Sequence, residues 1–557
     1  MHERDALHAL LQRIDGRPYP AYRDLLGAWC LGSYQMHVDR VQGDPFAAPS
    51  RVRLRVDTGI DAETAGDPVA RRAAEDWLLR RFGERLRSVR RGSGRSGALS
   101  VLQPGPDVSE RSSVRISADG WSEIRLAVGL PARGRRILGR EAWALLTEDL
   151  SRAAASVSGV GAEAGLARHI QSVQLQVRLR AQLRPRGLVA FIADGSVLPR
   201  DSGVSDRPMD AAVPFVSPAA LRTTLEGPDG PVSGMGLPAG VTVITGGGFH
   251  GKSTLLQAIQ RGHLDHVPDD GRERVVADPD TVKVRAEDGR RIAAVDVSAF
   301  LADLPGGRST RPFSTPDASG STSQAAAIVE ALEAGARCLL FDEDTSATNL
   351  MVRDARMTAL IGGDREPITP LVSRVRQLWR DRGISSVLVV GGVGDYLAVA
   401  DTVVLMDAFE ARDATERAHA LAGEPPTPPG PLPEAPVREV RVSSLRPTGR
   451  GRVRARDGRR VDHGDEEIDL LAVEQVLDGA HAASLGHALR LLADLAEGPL
   501  VDVARALDLL DAVLDAEGPD ALAPAEPPGG TLIRPRRHEV AAALNRLRTA
   551  DFLGGRP

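Results

Sequence analysis

Residues 246–253 read GGGFHGKS, which fits G-x-x-x-x-G-K-[ST], the Walker A spacing of a phosphate-binding loop. Gly246, Gly247, Gly248 and Gly251 let the backbone bend until successive N–H groups face the same phosphates. Lys252 has the reach for β- and γ-phosphates, the Ser253 hydroxyl can ligate a Mg2+ that bridges them, and Thr254 opens the helix behind them. The chemistry implied is the binding of Mg-ATP. An apolar, β-rich run, VTVIT, precedes the loop and a helical run, TLLQAIQ, follows it. That strand–loop–helix context argues against an ordinary glycine turn. His250 is not required by the motif and either touches a phosphate or faces solvent.

The second half of the chemistry lies in RCLLFDEDTSATNL at 337–350. A buried-strand run, CLLF, ends in Asp342, Glu343 and Asp344. Beside a phosphate loop, a carboxylate at such a strand end contacts Mg2+, and the next one polarises the attacking water. Asp342 is therefore expected at the metal, and Glu343 as general base or water-positioning group in ATP hydrolysis. The plain alternative is a solvated acidic turn. Upstream, Ser319, Gly320 and Ser321 open a helix that leads directly into the acidic strand, and a helix N-terminus with serine hydroxyls suits an anion. A serine–glycine cap without any ligand is the structural alternative.

These segments occur together with VQGDPFAAPSR (41–51), GLVAFIADGSVLPR (187–200), VKVRAEDGR (282–290), ASGSTSQAA (318–326), DEDTSATN (342–349), VGGVGDYLAVAD (390–401) and RPRRHEVAAALNRLR (534–548). In this combination the chain resembles the soluble family of predicted ATPases of the ABC class, over nearly its whole length. The resemblance implies an ATPase with its own N- and C-terminal domains and no membrane or transporter partner. It makes Ser319–Ser321 the counterpart of the ABC signature segment, of which Ser319 and Gly320 keep the usual Ser-Gly. In ABC ATPases the signature of one copy closes over nucleotide held by another, so a homodimer with two composite sites is implied. Thr345–Asn349 matches the loop that crosses that interface; Thr348 or Asn349 would bridge the two sites, or the segment is a simple polar turn.

The chain departs from the ABC pattern in two places. Where a histidine usually contacts the γ-phosphate it has Gly391-Gly392, with Asp395 nearby as either reorganised chemistry or a helix cap. The usual glutamine between phosphate loop and signature is not evident; VDVSAFL (295–301) offers Ser298 instead. Only about 65 residues separate Lys252 from Ser319, so the helical lobe between them is small.

To position these groups, residues 211–422 alternate strands and helices as an α/β sheet does, giving a P-loop core of ABC-ATPase type. An α+β N-terminal region precedes it, divided into 1–105 and 106–210. A proline-rich linker, 423–436, leads to a mostly helical region at 437–557. Two cysteines in 557 residues give neither a disulfide framework nor a metal site and fit a reducing cytoplasm. No run approaches the roughly 20 apolar residues of a spanning helix. The net charge of -5 gives no global pull toward nucleic acid. Arginines nevertheless cluster at 80, 81, 85, 87, 90, 91 and 95, and again at 450, 452, 454, 456, 459 and 460. These are expected either to grip an RNA or DNA backbone or to form a solvated surface. Two functions follow: an ATPase that clamps or remodels RNA, or an ATP-controlled switch with very slow turnover and a protein partner.

Overall fold

The computed structural model describes residues 2–86, 91, 96–203, 205–302, 304, 307–353, 367–428, 430–434, 437–449, 451–525 and 529–554. The chain divides into two compact units, Met1–Gln174 with Ala516–Arg534, and Leu175–Asp515 with Pro535–Pro557.

The first unit is built on a seven-stranded sheet. Its central strand, Ser50–Asp57, alternates buried Val52, Leu54 and Val56 with Arg51, Arg53 and Arg55, the period-2 pattern of a strand with one wet face. Arg53 on that face pairs with Asp39 at 2.7 Å and Glu123 at 2.9 Å. Leu99–Ser100 and Val114–Ile116 both pair with Trp121–Val128, so the sheet takes strands from both sides of residue 105. Although aromatics are only 3% of the chain, Tyr19, Tyr22 and Tyr34 fill this core. Their hydroxyls donate to the carbonyls of Leu130, Pro131 and Leu146, which is how a buried phenol avoids an unpaired polar atom.

The second unit carries the chemistry. Its antiparallel sheet holds β1 (Leu188–Ala193), β2 (Arg222–Gly227), β3 (Gly230–Pro238) and, beyond the phosphate loop, a strand at Val275–Ala277. The main sheet adds β4 (Val241–Gly246), which feeds helix α1 (Lys252–Arg261). The Val275–Ala277 strand is β5, followed by β6 (Thr281–Lys283) and a hairpin of β7 (Arg290–Val295) and β8 (Phe313–Ala318). Helix α2 (Gly320–Glu333), β9 (Cys338–Asp342), helix α3 (Val375–Arg382), β10 (Ser385–Val389), β11 (Thr402–Asp407) and β12 (Glu410–Asp413) complete the core. The main sheet runs β6-β9-β10-β4-β11-β12, parallel except for the β11–β12 pair. β9 and β10 are buried at every residue, as central strands covered on both faces must be.

Between α1 and α2 the described residues form no helix, so the small lobe expected there consists of strands and turns, and the β7–β8 hairpin delivers Ser319. The proline-rich segment is not a free spacer. Gly430 O accepts from Arg374 Nη1 at 2.7 Å and Gln377 Nε2 at 3.0 Å, and Pro433 O accepts from Arg382, which ties the segment along α3. The C-terminal region carries helices at Gly479–Leu495, Val503–Glu517 and Arg537–Arg546, together with two three-stranded sheets, one of which is completed by the last strand of the chain.

Candidate functional site

Strand register brings the sequence-expected groups to one edge. Asp342 of β9 pairs with Val389 of β10, and Val389 pairs with Ile244 of β4. The loop that follows β4, the acidic end of β9 and Gly391-Gly392 beyond β10 therefore leave the sheet at one level. That level is the carboxyl edge where ligands of open α/β sheets bind.

The loop needs its glycines. Gly246 has φ 141°, and a Cβ there would sit 2.2 Å from Met406 O. Gly251 caps α1 at φ 95°, without any side-chain acceptor for the first-turn N–H groups. Those orphan donors and the positive helix end suit an anion. Lys252 Nζ folds back onto its own loop, donating to Gly246 O at 2.8 Å and Gly247 O at 2.7 Å. Ser253 and Thr254 are half-buried in the first turn of α1. The His250 ring lies against the loop, where a Cβ on Gly247 would meet its Nε2 at 3.1 Å. Its Nδ1 accepts from Ala408 N–H at 3.1 Å and lies 3.4 Å from Asp407, so it braces the β11–β12 turn.

Glu343 meets the two glycines that stand where an imidazole was expected. Its Oε2 accepts from Gly391 N–H at 2.6 Å and Gly392 N–H at 3.1 Å. A Cβ on Gly391 would lie 3.8 Å from Lys252 Nζ, so the ammonium and the carboxylate flank one small volume. The backbone amides at 391 and 392 thus set the aim of Glu343, a function invisible while the pair is read as a missing histidine. A Cβ on Gly392 would stand 3.3 Å from Glu343 Oε1. Gly392→Ala should displace the carboxylate by a few tenths of an ångström and lower turnover by about ten-fold with nucleotide affinity unchanged. Steady-state phosphate release beside ATP titration calorimetry checks this; equal losses in both would count against it.

Asp342 is 8% exposed, with Oδ1 accepting from Asp344 N–H at 3.3 Å. Its Oδ2 lies 3.9 Å from Lys283 Nζ, which motif reading did not single out. Burial lowers the Lys283 ammonium from its ordinary range, with Glu474 and Asp342 acting the other way. Among the described residues no group of three or more His, Cys, Asp or Glu forms a metal site. The oxygens at hand, Ser253 Oγ and the Asp342 carboxylate, fit Mg2+ held mainly by phosphates and water.

Ser319 caps α2 and is exposed, its hydroxyl 3.0 Å from Thr322 Oγ1 and 3.4 Å from Ser321 Oγ. Among the described residues none of these hydrogen bonds runs to the phosphate loop. Gln324, fully buried on the same helix, donates to Ser346 Oγ at 3.0 Å and accepts from Ala347 N–H at 2.8 Å. The signature-like helix and the loop after Glu343 are thereby one piece. Thr348 and Asn349 are exposed at the end of that loop. Ser298 is tied to Asp296 and Arg311, and Asp395 is exposed one residue inside a short helix whose cap position is Val393.

A cleft of about 400 Å³ opens beside the loop, lined by Met209, Phe215, Gly251, Thr254, Gln257 and Phe409. The sequence offered no group for the nucleotide base; this cleft supplies apolar and aromatic walls next to the first turn of α1.

The arginine clusters are mostly committed internally. Arg80 pairs with buried Asp76 at 2.6 Å, Arg81 with Glu163 at 2.7 Å, and Arg91 with Asp149. Arg85 is exposed, and 87, 90 and 95 lie outside the described residues. In the second cluster Arg456 pairs with Asp462 and Glu467, Arg459 donates to Leu471 O, and Arg460 lies 3.9 Å from both Asp457 and Glu467. Arg452 and Arg454 stay exposed, and position 450 is outside the described residues.

A phosphate loop, then a helix begun at Ser319 that leads into the acidic end of a strand in the same sheet as the loop's strand, define a P-loop ATPase fold of the ABC class. Sequence comparison agrees along the chain. Residues 4–159 match the family described as ATPase of the ABC class N-terminal, 162–441 the ABC_ATPase P-loop domain, and 452–552 the MRB1590 C-terminal domain. The chain belongs to the family of ABC-class ATPase domain proteins. It is 31% identical over 248 residues to uncharacterized protein MJ1628 of Methanocaldococcus jannaschii, covering 42% of this chain and 54% of that protein. It is 28% identical over 216 residues to the aliphatic sulfonates import ATP-binding protein SsuB 2 of Xanthomonas axonopodis pv. citri, covering 36% of this chain and 65% of that one. The chain thus spans between about half and two thirds of these curated relatives. Among solved structures, cbiO1 of Clostridium perfringens, part of the ABC transporter complex cbiONQ, aligns over 40% of this chain and 87% of its own at 14% identity and TM-score 0.22. The ADP conformation of MJ1267, an ATP-binding cassette of an ABC transporter, aligns over 42% and 93% at 13% identity and TM-score 0.25. Among the described residues no helix is long and apolar enough to cross a membrane.

Proposed function

We propose that this chain binds and hydrolyses Mg-ATP at two composite sites of a homodimer. The observation that carries the reading is the Glu343 carboxylate fixed by the amides of Gly391 and Gly392 across from Lys252. In this reading the amides of Gly247, Gly248 and Gly251 and the first turn of α1 receive the β- and γ-phosphates. Lys252 leaves its loop carbonyls for the γ-phosphate. Ser253 and Asp342 would hold Mg2+, which supplies charge neutralisation between the β- and γ-phosphates when bound. Glu343 orients a water and takes its proton. The base lies in the cleft beside Phe409.

Ser319 is exposed at the start of α2 and its hydroxyl meets Thr322 and Ser321 of its own helix, which supports the segment's closing over nucleotide held by a second copy. ATP then links the two chains and hydrolysis releases them. The experiment is sedimentation velocity of the full chain without nucleotide, with Mg-ATP and with Mg-ADP. The reading expects a dimer stabilised by Mg-ATP and not by Mg-ADP, since a ligand bound only by the closed pair shifts assembly by mass action. A monomer in all three conditions would contradict it.

The free thiols of Cys30 and Cys338 fit the reducing cytoplasm as the place of action. Arg85, Arg452 and Arg454 are exposed cations that support contact with an RNA or DNA backbone, so nucleic acid is an added arm of any turnover assay. The second reading, a switch with very slow turnover acting on a protein partner, is favoured by the lack of an imidazole at 391–392.

A further inference from the structure

Of the 70 lysine and arginine residues in the chain, two are lysines: Lys252 and Lys283. The other side-chain ion pairs given above rely on arginine or histidine. The two ammonium groups converge on one sheet edge, Lys252 in the phosphate loop and Lys283 at the end of β6. Lys283 pairs in register with Leu340, two residues before Asp342. Its Nζ lies 3.9 Å from Asp342 Oδ2, and its side chain is 3% exposed. A guanidinium there would bring a planar fork of five donors; an ammonium is a compact point charge, set beside Asp342 with Glu474 as a second negative charge acting on it.

The backbone holds this ammonium in place. Lys283 N–H donates to Gln475 Oε1 at 3.0 Å, while Gln475 Nε2 donates to Thr281 O at 3.1 Å and Gln260 O at 3.3 Å. One side-chain amide therefore joins β6 to the end of α1 and covers a sheet edge that would otherwise be open. Arg536 donates to Pro279 O and His538 meets Asp280 at 2.9 Å, bracing the turn ahead of the same strand.

We propose that Lys283 is a positioning residue, the internal counter-ion of Asp342: it holds the carboxylate at the strand end when no divalent ion is present and weakens the ion's grip when one is bound. This rests on the reading of Asp342 as a metal ligand. A neighbouring positive charge raises the energy of a bound dication, so a metal site with a built-in cation releases its ion, and the product it bridges, more readily. Neutralising Lys283 should tighten divalent-ion binding rather than loosen it, which a merely structural lysine would not do.

The test is Mn2+ binding to the ADP complex of the full chain, read by electron paramagnetic resonance, in the parent, Lys283→Met, Lys283→Gln and Asp342→Asn. The expected result is about ten-fold tighter Mn2+ in both Lys283 variants and at least about ten-fold weaker Mn2+ in Asp342→Asn. Unchanged or weaker binding in a folded Lys283 variant, with Asp342→Asn weakened, overturns the counter-ion proposal and leaves the metal-ligand reading standing. Unchanged binding in Asp342→Asn overturns both. Should neither Lys283 variant fold, lysine labelled with 13C at the ε position gives two side-chain signals in the parent, and Lys252→Ala identifies which is Lys283. That signal should move when Mg2+ joins the ADP complex; an unmoved signal overturns the proposal.

Discussion

Replacing Lys252 with alanine should abolish ATP-dependent pairing and lower turnover by about 10³-fold, with the fold intact. The side chain contributes little to packing, because among the described residues its ammonium bonds the carbonyls of Gly246 and Gly247 in its own half-exposed loop. Water can satisfy those carbonyls once the amine is gone. What cannot be replaced is a mobile positive charge beside the first turn of α1, where the capping residue is a glycine with no side chain to offer. Circular dichroism and thermal melting should match the parent, while sedimentation in Mg-ATP should show monomer. A variant that still pairs with ATP would place the nucleotide contact elsewhere.

Glu343→Gln should separate binding from chemistry. Turnover is expected to fall by about 10²- to 10⁴-fold, the range attributed to a positioned general base. ATP affinity should persist and the ATP-bound pair should accumulate. The amide is nearly the same shape as the carboxylate, and its oxygen can still accept from the Gly391 and Gly392 N–H groups that fix the parent side chain at 2.6 and 3.1 Å. The site therefore keeps its geometry and loses only its base. Gly392→Ala is the converse case, a base kept but re-aimed. A larger loss in Gly392→Ala than in Glu343→Gln would show that aim, not proton transfer, limits the rate.

Much of this site was legible because its parts are contiguous. VTVIT, GGGFHGKS and TLLQAIQ occupy one stretch of chain, and CLLF ends directly in its carboxylates, so composition and spacing were enough to place strand, loop and helix. The Ser319 helix start was readable for the same reason. What could not be read depends on pairing between distant segments. Gly391-Gly392 looked like an omission, because a sequence shows side chains and the contact there is made by two backbone N–H groups that donate to Glu343, 48 and 49 residues back. The arginine runs suggested a phosphate-binding surface because their partners, Asp76, Glu163, Asp149, Asp462 and Glu467, are brought to them only by the fold. Lys283 did leave a trace in composition, since lysine occurs at two positions in the chain, but its relation to Asp342 follows from the parallel pairing of β6 with β9. The cleft beside the loop draws on residues near 200–215, the start of α1 and Phe409, which no local pattern connects.

The most direct measurement is steady-state phosphate release by the purified full chain with Mg-ATP, beside Lys252→Ala and Glu343→Gln, with and without added RNA and DNA. The account predicts Mg2+-dependent turnover in the parent that both substitutions abolish. Turnover surviving in both variants, or a parent that binds ATP without releasing phosphate, would contradict hydrolysis at this site.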